Sequence, residues 1–133
     1  MFRFDPKHKF NNKKMETPDG TFDSKGEWER WLFLKEAQKN GQISNLRRQV
    51  KYILIPTQYR TEIVHLKTKD KEVQRVAEHE ISYKADFVYE NAGGTVVEDF
   101  KGFPNDRWPY VKKMMLYFHG ISIREVKKPT EPI

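Results

Sequence analysis

The chain has 133 residues, no cysteine and a formal net charge of +6. That length fits a single domain, and the missing cysteines exclude a disulfide framework, a thiolate zinc site and a thiol nucleophile. Hydrophobic residues make up only 37%, so the core expected is modest and leans on 3 Trp, 6 Tyr and 9 Phe.

Met1–Lys14 reads as an extended basic arm containing Asn11 and Asn12. It is too charged for a secretory signal. Lys14–Phe22 encloses Thr17-Pro18-Asp19-Gly20, a tight turn joining two short extended pieces. Asp23 and Ser24 offer helix caps, and Glu27 stands three residues after Ser24 in a capping-box pattern. A helix over Lys25–Lys39 then carries Trp28, Trp31, Leu32 and Leu34 as its apolar stripe, with Gly41 beyond its end. Ile43–Leu46 connects to a β-branched strand, Val50–Ile55, stopped by Pro56.

Thr57–Glu80 is the least patterned stretch; Glu62–Lys67 reads as a strand and Lys69–Lys71 as a turn. Ile81–Tyr89 alternates, putting Ile81, Tyr83, Ala85, Phe87 and Tyr89 on one face. Glu90–Gly94 closes a hairpin onto Thr95–Lys101. Pro104–Pro109 reads as a loop, Tyr110–His119 as a helix capped by Gly120, and Ile121–Val126 as a last strand. This order predicts an α/β domain, a mixed sheet flanked by helices, over residues 15–126, with the basic arm 1–14 before it and a polar tail 127–133 after it. The longest apolar run, Met114–Phe118, is five residues and spans no bilayer, so the expectation is a soluble, intracellular protein.

Charge is uneven. Residues 1–14 carry net +4, residues 15–100 net −2 and residues 101–113 net +3. Basic segments around a near-neutral middle suit either a nucleic-acid footprint or ordinary solvated lysines. No P-loop sequence occurs, and His8, His65, His79 and His119 lack metal-binding spacing.

Asp86 lies within a strongly β-forming strand, and Asp99 and Lys101 lie two apart in its hairpin partner, on one face. Glu98 leaves the opposite face by the same parity, which favours Asp99 as the functional acid. Glu27 sits in the first helical turn, from which it could bind a second metal ion or orient a ligand water. Two carboxylates on adjacent strands can converge on magnesium, which takes hard oxygen ligands and leaves positions for water and phosphate. The bound ion polarises a phosphoryl oxygen and acidifies its water, and a nearby lysine offsets charge developing on the phosphate. The same residues also suit cross-strand salt bridges on a solvated face, with Glu27 serving only as a cap.

Asp86 followed by Asp99-Phe100-Lys101 resembles the split motif of the PD-(D/E)XK nuclease superfamily. Phe10-Asn11-Asn12-Lys13-Lys14, Asp19-Gly20, Phe22-Asp23-Ser24-Lys25-Gly26-Glu27, Tyr83–Tyr89 and Val97–Gly102 are similar to a small phage-encoded family of Holliday-junction resolvase-like endonucleases within it. The resemblance implies a restriction-endonuclease-like core and Mg2+- or Mn2+-dependent cleavage of DNA, with branched or recombination-intermediate DNA as the substrate. It further implies Asp86, Asp99 and the Phe100 carbonyl as metal ligands, Glu27 as the helix acid and Lys101 as the catalytic lysine. Ala85 stands where that family's motif has proline, and Asp99 is shorter than the alternative glutamate. Lys9, Asn11, Asn12, Lys13, Lys14, Lys25, Lys112 and Lys113 are the expected DNA-backbone contacts. A two-fold junction substrate would suit a homodimer, and a phage or prophage origin would place the protein in a bacterial cytoplasm. The rival reading is a non-catalytic DNA-binding or replication-accessory protein on the same fold.

Overall fold

The computed structural model describes residues 14–100 and 105–133, so the expectations for Lys9, Asn11, Asn12, Lys13 and Lys101 lie outside the described residues. β1 (Met15–Thr17) and β2 (Gly20–Phe22) form a small hairpin. Thr17 Oγ1 donates to the Gly20 carbonyl at 2.8 Å across the expected turn, and Gly20 takes φ 117°, open only to glycine without strain. α1 (Lys25–Lys39) follows, with Ser24 as N-cap accepting from the Glu27 amide at 3.1 Å. Its buried stripe is Glu27, Arg30, Leu34 and Ala37, while Leu32 is 41% exposed. The expected all-apolar stripe is thus replaced by one with two charged members, and Trp28 and Trp31 flank it.

β3 (Ser44–Ile55) begins six residues before the β-branched run, because antiparallel pairing with a later strand holds the polar stretch Ser44–Gln49 extended. β4 (Gln58–His65) and β5 (Asp70–Glu78) occupy the stretch that sequence patterning left open, and they turn at Leu66–Lys69 rather than at Lys69–Lys71. β6 (Ile81–Asn91) and β7 (Gly94–Phe100) are the expected hairpin. α2 (Trp108–His119) starts two residues before the expected Tyr110, since Pro109 in its first turn needs no intrahelical N–H partner. Gly120 caps it in the left-handed region, and β8 is the short Arg124–Val126.

The main sheet has the order β3-β6-β7-β8, antiparallel except for the parallel β7–β8 pair. The fold is therefore α/β with a mixed sheet and two helices among the described residues. No described helix is long and apolar enough to cross a membrane.

Apolar side chains form two clusters. One gathers Phe22, Leu34, Ala37, Ile43, Phe87, Tyr89, Phe100 and Val126 around α1; the other gathers Leu54, Tyr83, Ala85, Val88, Val97, Val111 and Met115 around α2. The expected single buried face of β6 is not found. Residues of one parity change cluster between Ala85 and Phe87, and on β3 they do so between Leu46 and Val50. Both changes bracket one level of the sheet, where Gln49 has φ 54°. A left-handed residue in a strand redirects the side chains that follow it.

α1 is anchored to β7 by charge. Arg30 and Glu98 are each fully buried and pair fork to fork, Nε to Oε1 at 2.9 Å and Nη2 to Oε2 at 2.8 Å. The Tyr89 hydroxyl also donates to Glu98 Oε2, and Arg124 Nη1 lies 3.3 Å from the same oxygen. Arg30 Nη1 donates to the Pro129 carbonyl at 3.2 Å and to that of Glu131, so residues of the polar tail fold back over the pair. Glu98→Gln leaves a buried guanidinium without its counter-charge and is expected to lower unfolding free energy by about 3–5 kcal/mol. Arg30→Met/Glu98→Leu should recover part of that loss, and urea denaturation of the three proteins checks both.

Candidate active site

The hairpin register, Phe87↔Glu98 and Val88↔Val97, sets Asp86 opposite Asp99 on neighbouring strands. The Phe100 amide donates to Asp86 Oδ2 at 2.9 Å, and the Tyr83 hydroxyl donates to Asp99 Oδ1 at 3.0 Å. Each carboxylate is therefore held by one hydrogen bond from the hairpin itself. Glu98 leaves the other side, as parity predicted, and its charge is consumed by Arg30.

The first turn of α1 meets the end of β7 closely. A Cβ on Gly26 would lie 2.9 Å from Phe100 Cε1, so glycine is what lets the helix seat there. This contact carries Glu27, 3% exposed, to the hairpin. Glu27 Oε2 accepts from the Asp23 amide at 3.2 Å, so the residue does act as a cap. Its other oxygen, Oε1, lies 3.4 Å from Gln49 Nε2, which in turn lies 3.5 Å from Asp86 Oδ1. Gln49 faces Asp86 between the pairs Arg48↔Phe87 and Val50↔Ala85, and its left-handed backbone is a strained conformation of the kind concentrated at functional sites.

Electrostatics follow from this crowding. Burial pushes the Asp86 carboxyl up to about 8, with Asp99 and then Glu27 adding repulsion. Burial also raises Asp99 to about 6, against the lowering effect of the Tyr83 hydroxyl. Glu27 is raised by burial and by Asp23. The Tyr83 phenol is pushed far up by burial and by Asp99. Among the described residues no three His, Asp or Glu side chains stand close enough to hold a metal ion together as placed. The structure thus brings Asp86 and Asp99 together and puts Glu27 behind an intervening glutamine amide.

Of the predicted DNA contacts, Lys14, Lys25, Lys112 and Lys113 lie within the described residues. Lys14 and Lys113 are exposed. Lys25, with a side chain 76% exposed, lies 3.9 Å from Glu29. Lys112 is 3.6 Å from Glu125 and 5.9 Å from the centre of the Trp108 ring, so part of its charge is already matched. Sequence reading missed Gln49 and gave Tyr83 only a packing role. A glutamine before a run of β-branched residues was the available signal for the first; nothing in the alternation distinguished the second from its neighbours.

The two aspartates make metal-free stability depend on pH. Their folded pKa values lie above the ordinary 3.8, so the folded state binds their protons more tightly than the unfolded chain. Their favourable contribution is complete below about pH 4 and is lost as pH rises through about 6 and then about 8. Asp86→Asn should remove most of this slope and gain at least about 1 kcal/mol at pH 8 in chelator, read from urea midpoints across the pH range.

A family model described as a protein of unknown function, DUF1064, matches residues 7–128. This covers well over half of the chain, which therefore belongs to that family. No curated protein and no solved structure matches it.

Proposed function

We propose that this DUF1064 protein is a divalent-metal-dependent DNA endonuclease with a restriction-endonuclease-like core, related to the PD-(D/E)XK nucleases and acting on branched or recombination-intermediate DNA. The observation that carries the reading is the pairing of Asp86 with Asp99 across β6 and β7 in surroundings that raise both carboxyl pKa values. Like charges crowded in a desolvated place are relieved by a bound cation, which inverts the local balance. Hard carboxylate oxygens suit Mg2+ or Mn2+, and Asp86, Asp99 and the Phe100 carbonyl would hold it. When bound, such an ion supplies Lewis-acid polarisation of the phosphate and a water of lowered pKa.

The protein's own groups have separable roles in this reading. The Phe100 amide and the Tyr83 hydroxyl fix the two carboxylates before any ligand arrives. Gln49 spaces Glu27 from Asp86 and orients both through its amide. Glu27 supplies negative charge at the back of the site while capping α1. Lys101, two residues after Asp99 in the chain, would bear on the scissile phosphate and the attacking water. That only two acids converge among the described residues favours one rival, a DNA-binding accessory protein that has the fold without the chemistry. It predicts binding with no metal-dependent cleavage of any substrate.

Purified protein should nick or resolve a four-way DNA junction only with Mg2+ or Mn2+. Asp99→Ala is expected to lower cleavage at least about a hundredfold while keeping fold and DNA affinity. Tyr83→Phe and Gln49→Ala act on orientation alone and should lower it about 10–100-fold. Gel assays of cleavage with parallel circular dichroism decide the matter, and full activity in Asp99→Ala removes the mechanism.

A further inference from the structure

The chain segments that form β3 and β6 remain paired beyond the edge of the main sheet. After Pro56 on one strand and before Glu80 on the other, the same two chain segments continue as the β4–β5 ribbon, with Ile53↔Ser82 on the sheet side and Tyr59↔Val76 on the ribbon side. β4 alone has eight residues, so the extension reaches about 25 Å at about 3.3 Å per residue. It forms its own two-stranded sheet and joins no third strand among the described residues. A two-stranded ribbon is marginal by itself in water, and this one exposes Tyr59, Ile63, Leu66 and Val76.

Its charge is sorted by face. Arg60↔Arg75, Glu62↔Val73 and Val64↔Lys71 share one face; Ile63↔Glu72 and His65↔Asp70 share the other. The first face therefore carries three bases against Glu62 and, at the ribbon's root, Glu78 opposite Gln58; the other carries Glu72 and Asp70. Lys67 and Lys69 add two exposed bases at the tip. The two arginines stand directly opposite each other, a repulsive placement, and share a single carboxylate, Glu62, at 3.0 and 3.3 Å. Their side chains remain 60% and 56% exposed. One carboxylate for two guanidiniums leaves a positive charge that an external anion would match.

We infer that the basic face and tip of the β4–β5 ribbon dock on the phosphate backbone of duplex DNA, holding a duplex arm beside the site that β6 and β7 carry. The inference rests on the proposed reading in taking DNA as the ligand, and not on catalysis. Two-stranded ribbons fit DNA grooves about 12 Å wide, and bases spaced along such a ribbon replace condensed counterions on the phosphates. A second copy of the chain fits less well, because the exposed apolar residues are divided between the ribbon's root and its tip by the hydrogen-bonded polar pair Thr61↔Gln74.

Fluorescence anisotropy of a labelled duplex across a salt series tests this with the full chain. Wild type is compared with Lys67→Ser/Lys69→Ser/Lys71→Ser and with the same positions changed to Arg. The serine variant should bind at least tenfold more weakly, with a log–log salt slope shallower by about 2–3. The arginine variant should match wild type. Unchanged affinity and slope in the serine variant overturn the inference while leaving the nuclease reading intact. Absence of DNA binding by wild type sinks both. Light scattering that shows a dimer dissolved by the serine substitutions, with affinity falling in step, assigns the ribbon to contact between copies and also overturns it.

Discussion

A buried pair of opposite charges fixes the geometry of this protein. Arg30 and Glu98 are separated by 68 residues, yet both are fully removed from water. Neither could be buried alone, because an unpaired ion in a low-dielectric interior is prohibitively costly. Each therefore specifies the other's position, and the fork-to-fork geometry specifies orientation as well. α1 can sit on β7 in one register, and its first turn then falls at the end of the hairpin, where Gly26 meets Phe100. Burial of the pair also recruits Tyr89, Arg124 and carbonyls of the C-terminal residues.

Asp86 and Asp99 show the opposite principle. They are buried without a matching positive charge within the described site; burial raises both pKa values, and for Asp86 the neighbouring Asp99 adds repulsion. One pair of charges on the hairpin is satisfied and structural; the other pair is repulsive and available to a ligand. β7 presents both from adjacent residues, since Glu98 and Asp99 leave opposite sides of the strand. The change of side-chain direction at Gln49 lets β3 serve the α2 cluster with one half and the α1 cluster with the other, and it leaves a polar level between two apolar ones. That polar level is the candidate site.

Much of this was legible in residue order. The turn at Thr17–Gly20, the cap at Ser24, the helix over Lys25–Lys39 and the β6–β7 hairpin all depend on local chemistry, and the structure has them at or near the expected boundaries. The facing of Asp86 and Asp99 was legible too, because a tight hairpin fixes register. Other features were not. Arg30 reads as a surface residue until Glu98 is known to lie beneath it. Ser44–Gln49 reads as a connection because its extended form is held by β6, not by its own side chains. The β4–β5 ribbon was hidden because exposed strands carry few apolar residues, so their alternation is nearly silent.

By itself the sequence determined what short-range forces decide: caps, turns, the hairpin, the α/β class and the parity that separates Asp99 from Glu98. Those follow from backbone sterics and from contacts between residues close in the chain. Tertiary structure decided which charges are paired, which carboxylates are raised, and that Gln49 comes between Glu27 and Asp86. Such properties depend on burial and on distances between segments far apart in sequence. A carboxylate's neighbours, and so its proton affinity, exist only once the chain has closed around it.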